Sequence, residues 1–299
     1  MKTATALTIL AAFCVAANSA MAYKFLFTAH ESGVVAIADD KGKIHWSISA
    51  DHPQRADVSK DGKRVFISEL NGAKMVDIAT KKVLWRYKCP AVRWDGVESG
   101  IIKKGMRLQL QNPVAQILDK DRFLVGNEGI ASLLEINSRG DVLKTVKSES
   151  LNRVNHGEFR LASKTDKGEY IFPLLSSSLL TIYDKDGKQV RRIKTPDGVV
   201  SASYLKDGNL LTGGIFGVAI YDLADKIVWS FTSKELQKAL KTAEPVIICD
   251  VKPLPNGNYL CTTYGDKRVP DVLEISPKKE IVKKIDFKKY SYFSALQLL

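Results

Sequence analysis

The sharpest chemistry in the chain is a pair of residues four apart, His156 and Arg160, in the stretch H-G-E-F-R-L-A from His156 to Ala162. On an extended strand side chains alternate, so these two positions face the same way. A histidine titrates near neutral pH and can serve as acid, base or ligand. The arginine offers a planar fork for a carboxylate or sulfate. The plainer reading is that both satisfy loop carbonyls and a nearby acid such as Glu158. Asn127 and Glu128 form a second candidate, in a tight turn between Gly126 and Gly129. Asn127 is expected to hold a left-handed conformation there, and Glu128 can pair with Arg160 or ligate a metal. Trp94, beside Asp95, can stack on a sugar ring or pack its own loop. Asn112 completes the candidate ligand-binding set.

Other chemistries lack their residues. There is no G-x-S-x-G elbow and no phosphate-binding P-loop. Ser176-Ser177-Ser178 reads as a polar tight connection. His30, His52, His156 and Glu128 are scattered, with no H-x-x-x-H and no close aspartate cluster, so no metal site is assigned. The formal charge is +12. The lysines fall in turns such as Ser59 to Arg64 and Ser276 to Lys279, and form no aromatic-interleaved stripe. Solvated turn charge is the reading, and no nucleic-acid partner is expected.

These side chains need a scaffold, and the chain spells one out repeatedly. From Val199 to Phe231, apolar or β-branched runs alternate with K-D-G-N, a Gly-Gly step and L-A-D-K. This is the pattern of four consecutive antiparallel strands. Similar units run from Arg55 to Tyr87, Asn112 to Val146, Gly157 to Ile193 and Val246 to Ile285. Tyr23 to Ile48 supplies only three strands, and Phe293 to Leu299 supplies one left over. Four-stranded units repeated in this way predict an all-β fold, a six-bladed β-propeller of four-stranded antiparallel blades. One blade is closed by pairing of the N- and C-terminal strands, which removes open sheet edges. Thr232 to Glu244 reads as a short helix with a Thr232–Glu235 capping box and Leu236 and Leu240 on its buried stripe. A two-residue turn at Asn256-Gly257 would set Cys261 opposite Lys252 and Cys249 on the other face, so no bridge is expected between these cysteines.

Residues 1–22 read as a secretory leader: Lys2, an apolar run from Leu7 to Ala17, and Ala20-Met21-Ala22 as the cleavage site. The expectation is a single propeller domain over 23–299, periplasmic or secreted and monomeric. No later apolar run is long enough to predict a transmembrane helix.

Three units place a tryptophan after a spaced aspartate: Asp77 to Trp85, Asp222 to Trp229 and Asp39 to Trp46. This resembles the tryptophan-docking repeat of the PQQ-like (quinoprotein-like) propellers, A-x-D-x-x-T-G-x-x-x-W. The resemblance implies that Trp46, Trp85 and Trp229 lie on outer strands, largely buried between blades. Lys81 stands where the repeat has glycine. The segments Asn112 to Leu118, Val125 to Gly129 and His156 to Ala162 are also similar to exported bacterial propellers of that superfamily without assigned activity. The quinoprotein dehydrogenases use a vicinal disulfide and calcium. No adjacent cysteine pair exists here, so neither PQQ nor another cofactor is expected.

In a propeller, second-to-third and blade-to-blade connections share one face, here called upper. Plain turn residues such as Asp61-Gly62, Asp207-Gly208 and Asn256-Gly257 fall on the lower face. His30, His52, Glu128, His156, Arg160 and the Trp94 loop fall on the upper one. The expected function is binding of a small-molecule or carbohydrate ligand, or of an exported protein, on that face. A hydrolase or lyase acting on an acidic carbohydrate, and an envelope assembly scaffold, are the alternatives.

Overall fold

A computed structural model describes residues 22–90, 111–149, 159–264 and 269–299. The leader reading, His156, Glu158 and Trp94 lie outside the described residues. The described strands form six four-stranded antiparallel sheets, so the chain is a six-bladed β-propeller. Innermost to outermost, blade 1 is Phe293–Leu298, Lys24–Ala29, Val34–Asp39 and Ile44–Ser49. Blade 2 is Ala56–Val58, Arg64–Glu69, Gly72–Asp77 and Val83–Lys88. Blade 3 is Ala115–Asp119, Arg122–Asn127, Ser132–Ile136 and Val142–Lys147. Blade 4 has a short inner strand, Ser163–Lys164, before Tyr170–Leu174, Leu179–Tyr183 and Gln189–Lys194. Blade 5 is Val199–Tyr204, Leu210–Gly214, Gly217–Tyr221 and Ile227–Thr232, and blade 6 is Ile247–Pro253, Tyr259–Tyr264, Val272–Ile275 and Ile281–Ile285.

Closure takes the expected form. Phe25 pairs with Leu298 and Phe27 with Leu296, with a bulge before the Ala29–Phe293 pair. The second and third strands are buried along nearly their whole length, because each blade packs against two neighbours. Outer strands such as Val142–Lys147 and Gln189–Lys194 bury only Val146 and Ile193, half-bury Lys144 and Arg191, and expose the rest, including Lys147, Arg192 and Lys194. Charge on these edges discourages pairing with other chains.

The lower turns repeat one geometry. Gly62 donates to Ser59, Gly208 to Leu205 and Gly257 to Leu254, each glycine at positive φ. This four-residue turn, with its bulge at glycine, corrects the register expected at Cys261. Cys261 lies opposite Val251, and Leu260 opposite Lys252. Cys89, Cys249 and Cys261 are free.

Inner strands leave backbone groups facing the channel, and side chains of adjacent blades take them up. Gln297 Oε1 accepts from Val58 N at 2.7 Å, and Asp57 Oδ2 from Ile117 N at 2.7 Å. Gln116 exchanges two bonds with the Lys164 backbone, at 2.7 and 2.9 Å. Asp250 Oδ2 accepts from Leu296 N at 3.0 Å. Blades 1 to 2, 2 to 3, 3 to 4 and 6 to 1 are thus stitched by a polar residue in the middle of an inner strand.

The tryptophans dock on the following blade, as expected. Trp46 Nε1 donates to Ile78 O and Trp229 Nε1 to Pro277 O, both at 2.8 Å. Trp85 packs on Phe66 and Phe123 with centroids 5.4 and 4.9 Å away. All three bury most of their surface against core residues, as expected, and keep a smaller part exposed. The outer strand has no further strand covering it, so one edge of each ring stays in solvent. The helix spans Ser233–Leu240 with the expected Thr232–Glu235 capping box and a buried Leu236. It stops short of Glu244, because Lys241 turns left-handed and caps onto Gln237 O.

Candidate functional site

Arg160 owes its position to a proline. Its N–H donates to Pro173 O at 3.1 Å, as in an antiparallel pair. The return bond is impossible, because proline has no N–H. Arg160 O is instead taken by Ala162 N, and the strand kinks. Leu161 N then donates to Val200 O of blade 5 at 3.1 Å. The regular inner strand of blade 4 resumes only at Ser163, which leaves Arg160 at the upper mouth of the channel.

There Arg160 lines a recess of about 280 Å³. Blades 1, 2, 4, 5 and 6 all contribute to it, through upper ends of strands or upper connections. The walls are aliphatic: Leu161, Leu175, Val200, Ile215 and Ile247. Polar groups enter at few points, notably His30, Gln54, Cys249 and the rim tyrosines Tyr264 and Tyr292. The two tyrosine rings lie 4.8 Å apart. Deeper in the channel Arg55 reaches from blade 2 to Ala162 O of blade 4 at 2.9 Å.

The electrostatics centre on Arg160. Its side chain is 14% exposed, and Nη1 lies 3.8 Å from Glu128 Oε1, whose side chain is 8% exposed. That separation gives charge compensation without a hydrogen bond. Nη1 is buried and has no hydrogen-bond partner among the described residues. His30 sits on the same wall, with Nδ1 3.1 Å from His52 O. A carbonyl only accepts, so Nδ1 carries the proton and Nε2 is left as an acceptor. Burial first, and the Arg160 charge second, hold the His30 pKa below its ordinary value. Burial pushes the Cys249 thiol up to about 12, so it is a poor nucleophile at neutral pH.

Of the predicted site residues, the structure brings Arg160 and Glu128 together. Asn112 is spent on the fold: its Nδ2 donates to Gly72 O at 2.6 Å, and its Oδ1 accepts from Val114 N and Gly126 N at 3.1 and 2.7 Å. It ties blade 2 to blade 3. Asn127 is buried at the end of its strand, with φ −141, so the left-handed expectation is corrected. The single turn of 3₁₀ helix Glu128–Ile130 carries the chain round, and Ala131 takes the left-handed position with φ 50. Neither Asn127, Glu128 nor Asn112 lines the recess. Sequence reasoning missed Cys249, Tyr264 and Tyr292, and placed His30 on the upper face without assigning it to the site. Their common signal is position, at or near the upper end of an inner or second strand.

No family model and no curated protein matches the chain. Among solved structures, it is similar to a protein of unknown function from Bacteroides caccae, with TM-score 0.73 and 20% identity over 93% of this chain and 98% of that one. Virginiamycin B lyase from Staphylococcus aureus aligns with TM-score 0.53 and 12% identity, over 79% of this chain and 71% of that one. The C-terminal WD40 domain of Sif2 aligns with TM-score 0.50 and 11% identity, over 85% and 66%. At these identities the likeness is one of fold.

Proposed function

We propose that this propeller is an exported binding protein whose ligand enters the upper mouth of the central channel. One observation carries the reading: a concave, largely apolar recess at the mouth is lined by Arg160, whose side chain is mostly buried but keeps 14% of its surface exposed. Small-molecule sites have this character, with apolar walls and few convergent polar groups. A mostly buried guanidinium with part of its surface open to an apolar recess can offer charge-assisted hydrogen bonds to a ligand. Export rests on the leader-like residues 1–22. Kinship with PQQ-like propellers draws support from the docking of Trp46, Trp85 and Trp229 on the next blade.

Cys249 makes the site testable. It is partly exposed in the recess, whereas Cys89 and Cys261 are buried. A panel of small molecules is screened by thermal shift, since a specific ligand stabilises the fold by mass action. Hits should then slow modification of Cys249 by methylmercury chloride, followed by intact-mass spectrometry. Stabilising hits that leave Cys249 fully reactive would move the site elsewhere, and a panel with no hit would count against ligand binding.

A further inference from the structure

Resting on that reading, we propose that the recess selects a small monocarboxylate with an aliphatic or aromatic body. The anion is specified by Arg160. Its side chain lines the recess and is 14% exposed, whereas its neighbour Glu128, 3.8 Å away, does not line it. A carboxylate would offer two acceptors to the exposed part of the guanidinium in the planar geometry that guanidinium prefers. The body is specified by the walls. Leu161, Leu175, Val200, Ile215 and Ile247 offer no partner for hydroxyl groups. A carbohydrate would bury its hydroxyls against them at a cost for each one left unpaired. An apolar chain or ring gains from the same burial.

Three further features narrow the class. The volume, about 280 Å³, lies just below the ~300–1,000 Å³ of typical small-molecule pockets, so a polymer or a folded partner does not fit inside. A second carboxylate finds no second arginine or lysine on the wall among the described residues. His30 presents an acceptor, and Glu31 on the same wall carries negative charge. A phosphate monoester brings more charge than one arginine beside Glu128 can balance. At the rim, Tyr264 and Tyr292 are each 42% exposed, and their rings can cover the apolar body once it is seated.

The test is isothermal titration of the processed protein with cyclohexanecarboxylate, cyclohexanecarboxamide and cyclohexyl phosphate. The acid should bind at least tenfold more tightly than the amide and the phosphate. Arg160→Met keeps the apolar stem and should erase the preference of acid over amide, while Arg160→Lys retains part of it. Melting temperatures of both variants are checked first. If neither folds, the acid-to-amide ratio of the parent protein still decides. An amide that binds as tightly as the acid and protects Cys249 would overturn the carboxylate assignment and leave ligand binding intact. A preference for the phosphate, or no binding of the acid, would overturn it as well. Loss of Cys249 protection across a wider panel is the separate result that would remove the binding site altogether.

Discussion

Replacing Asn112 by alanine should weaken the fold and spare the ligand site. The carboxamide serves three buried backbone groups at once: Gly72 O, Val114 N and Gly126 N. Alanine leaves all three without their partner. An unmade bond to a buried group costs about 1–3 kcal/mol, so the sum lies between about 3 and 9 kcal/mol. Water can enter the space vacated by the carboxamide, which favours the lower end, about 3–4 kcal/mol. A kcal/mol displaces Tm by roughly 2–4 °C in chains of 150–250 residues, so a fall of roughly 6–16 °C is expected. The assay is paired thermal and urea denaturation followed by tryptophan fluorescence. Ligand affinity of the folded variant should match the parent, because Asn112 does not line the recess. A variant that melts within a degree of the parent would refute the accounting. A variant that melts normally but no longer binds would return Asn112 to the ligand site.

Trp85→Ala should cost about 2–3 kcal/mol, below the ~3–5 of a fully buried aromatic because the ring is partly exposed, whereas Trp85→Phe should keep most of the packing on Phe66 and Phe123; urea titration reads both. Asp286→Asn should change the pH dependence of stability. Burial, opposed by the Phe287 N–H and reinforced by the Asp286 carboxylate, pushes Asp271 up to about 6. Between about 4 and 6 the folded chain therefore holds a proton that the unfolded chain has released, and stability falls as pH rises through that window. Removing the Asp286 charge should raise Tm above pH 6 and leave it nearly unchanged near pH 4, measured by thermal melts across that range. Parallel curves for variant and parent would sink the assignment.

What the sequence disclosed follows from how far apart the deciding residues are. Blades, turns and closure were legible because strand alternation and the glycine at the turn bulge are local, as in Lys206 to Asn209. The Thr232–Glu235 capping box was legible for the same reason. The cysteine register failed by one residue, because a two-residue turn and a four-residue turn with a bulge share the same Asn-Gly signal at Asn256. The stitching of inner strands by Gln297, Asp57, Gln116 and Asp250 went unread, although each is a polar residue flanked by apolar ones. Its meaning lies in the backbone of a different blade. The same limit applies to the recess, where His30, Cys249 and Tyr292 come together from distant parts of the chain.

Arg160 shows where a local signal did exist and was passed over. Y-I-F-P-L-L puts a proline in the middle of a second strand, where an N–H is owed to the first. The inner strand opposite must therefore break its ladder at the facing residue, and that residue is Arg160. The break has two consequences. It shortens the regular inner strand of blade 4 to Ser163–Lys164, and it joins blade 4 to blade 5 through Leu161 and Val200 by backbone alone. This junction thus needs no polar side chain of the kind that serves blades 1 to 2 or 3 to 4. The same kink holds the guanidinium at the channel mouth, where Glu128 balances its charge at 3.8 Å. Structure and proposed recognition thus depend on one missing hydrogen at Pro173, which is why the cationic group of the recess sits on the least regular inner strand of the propeller.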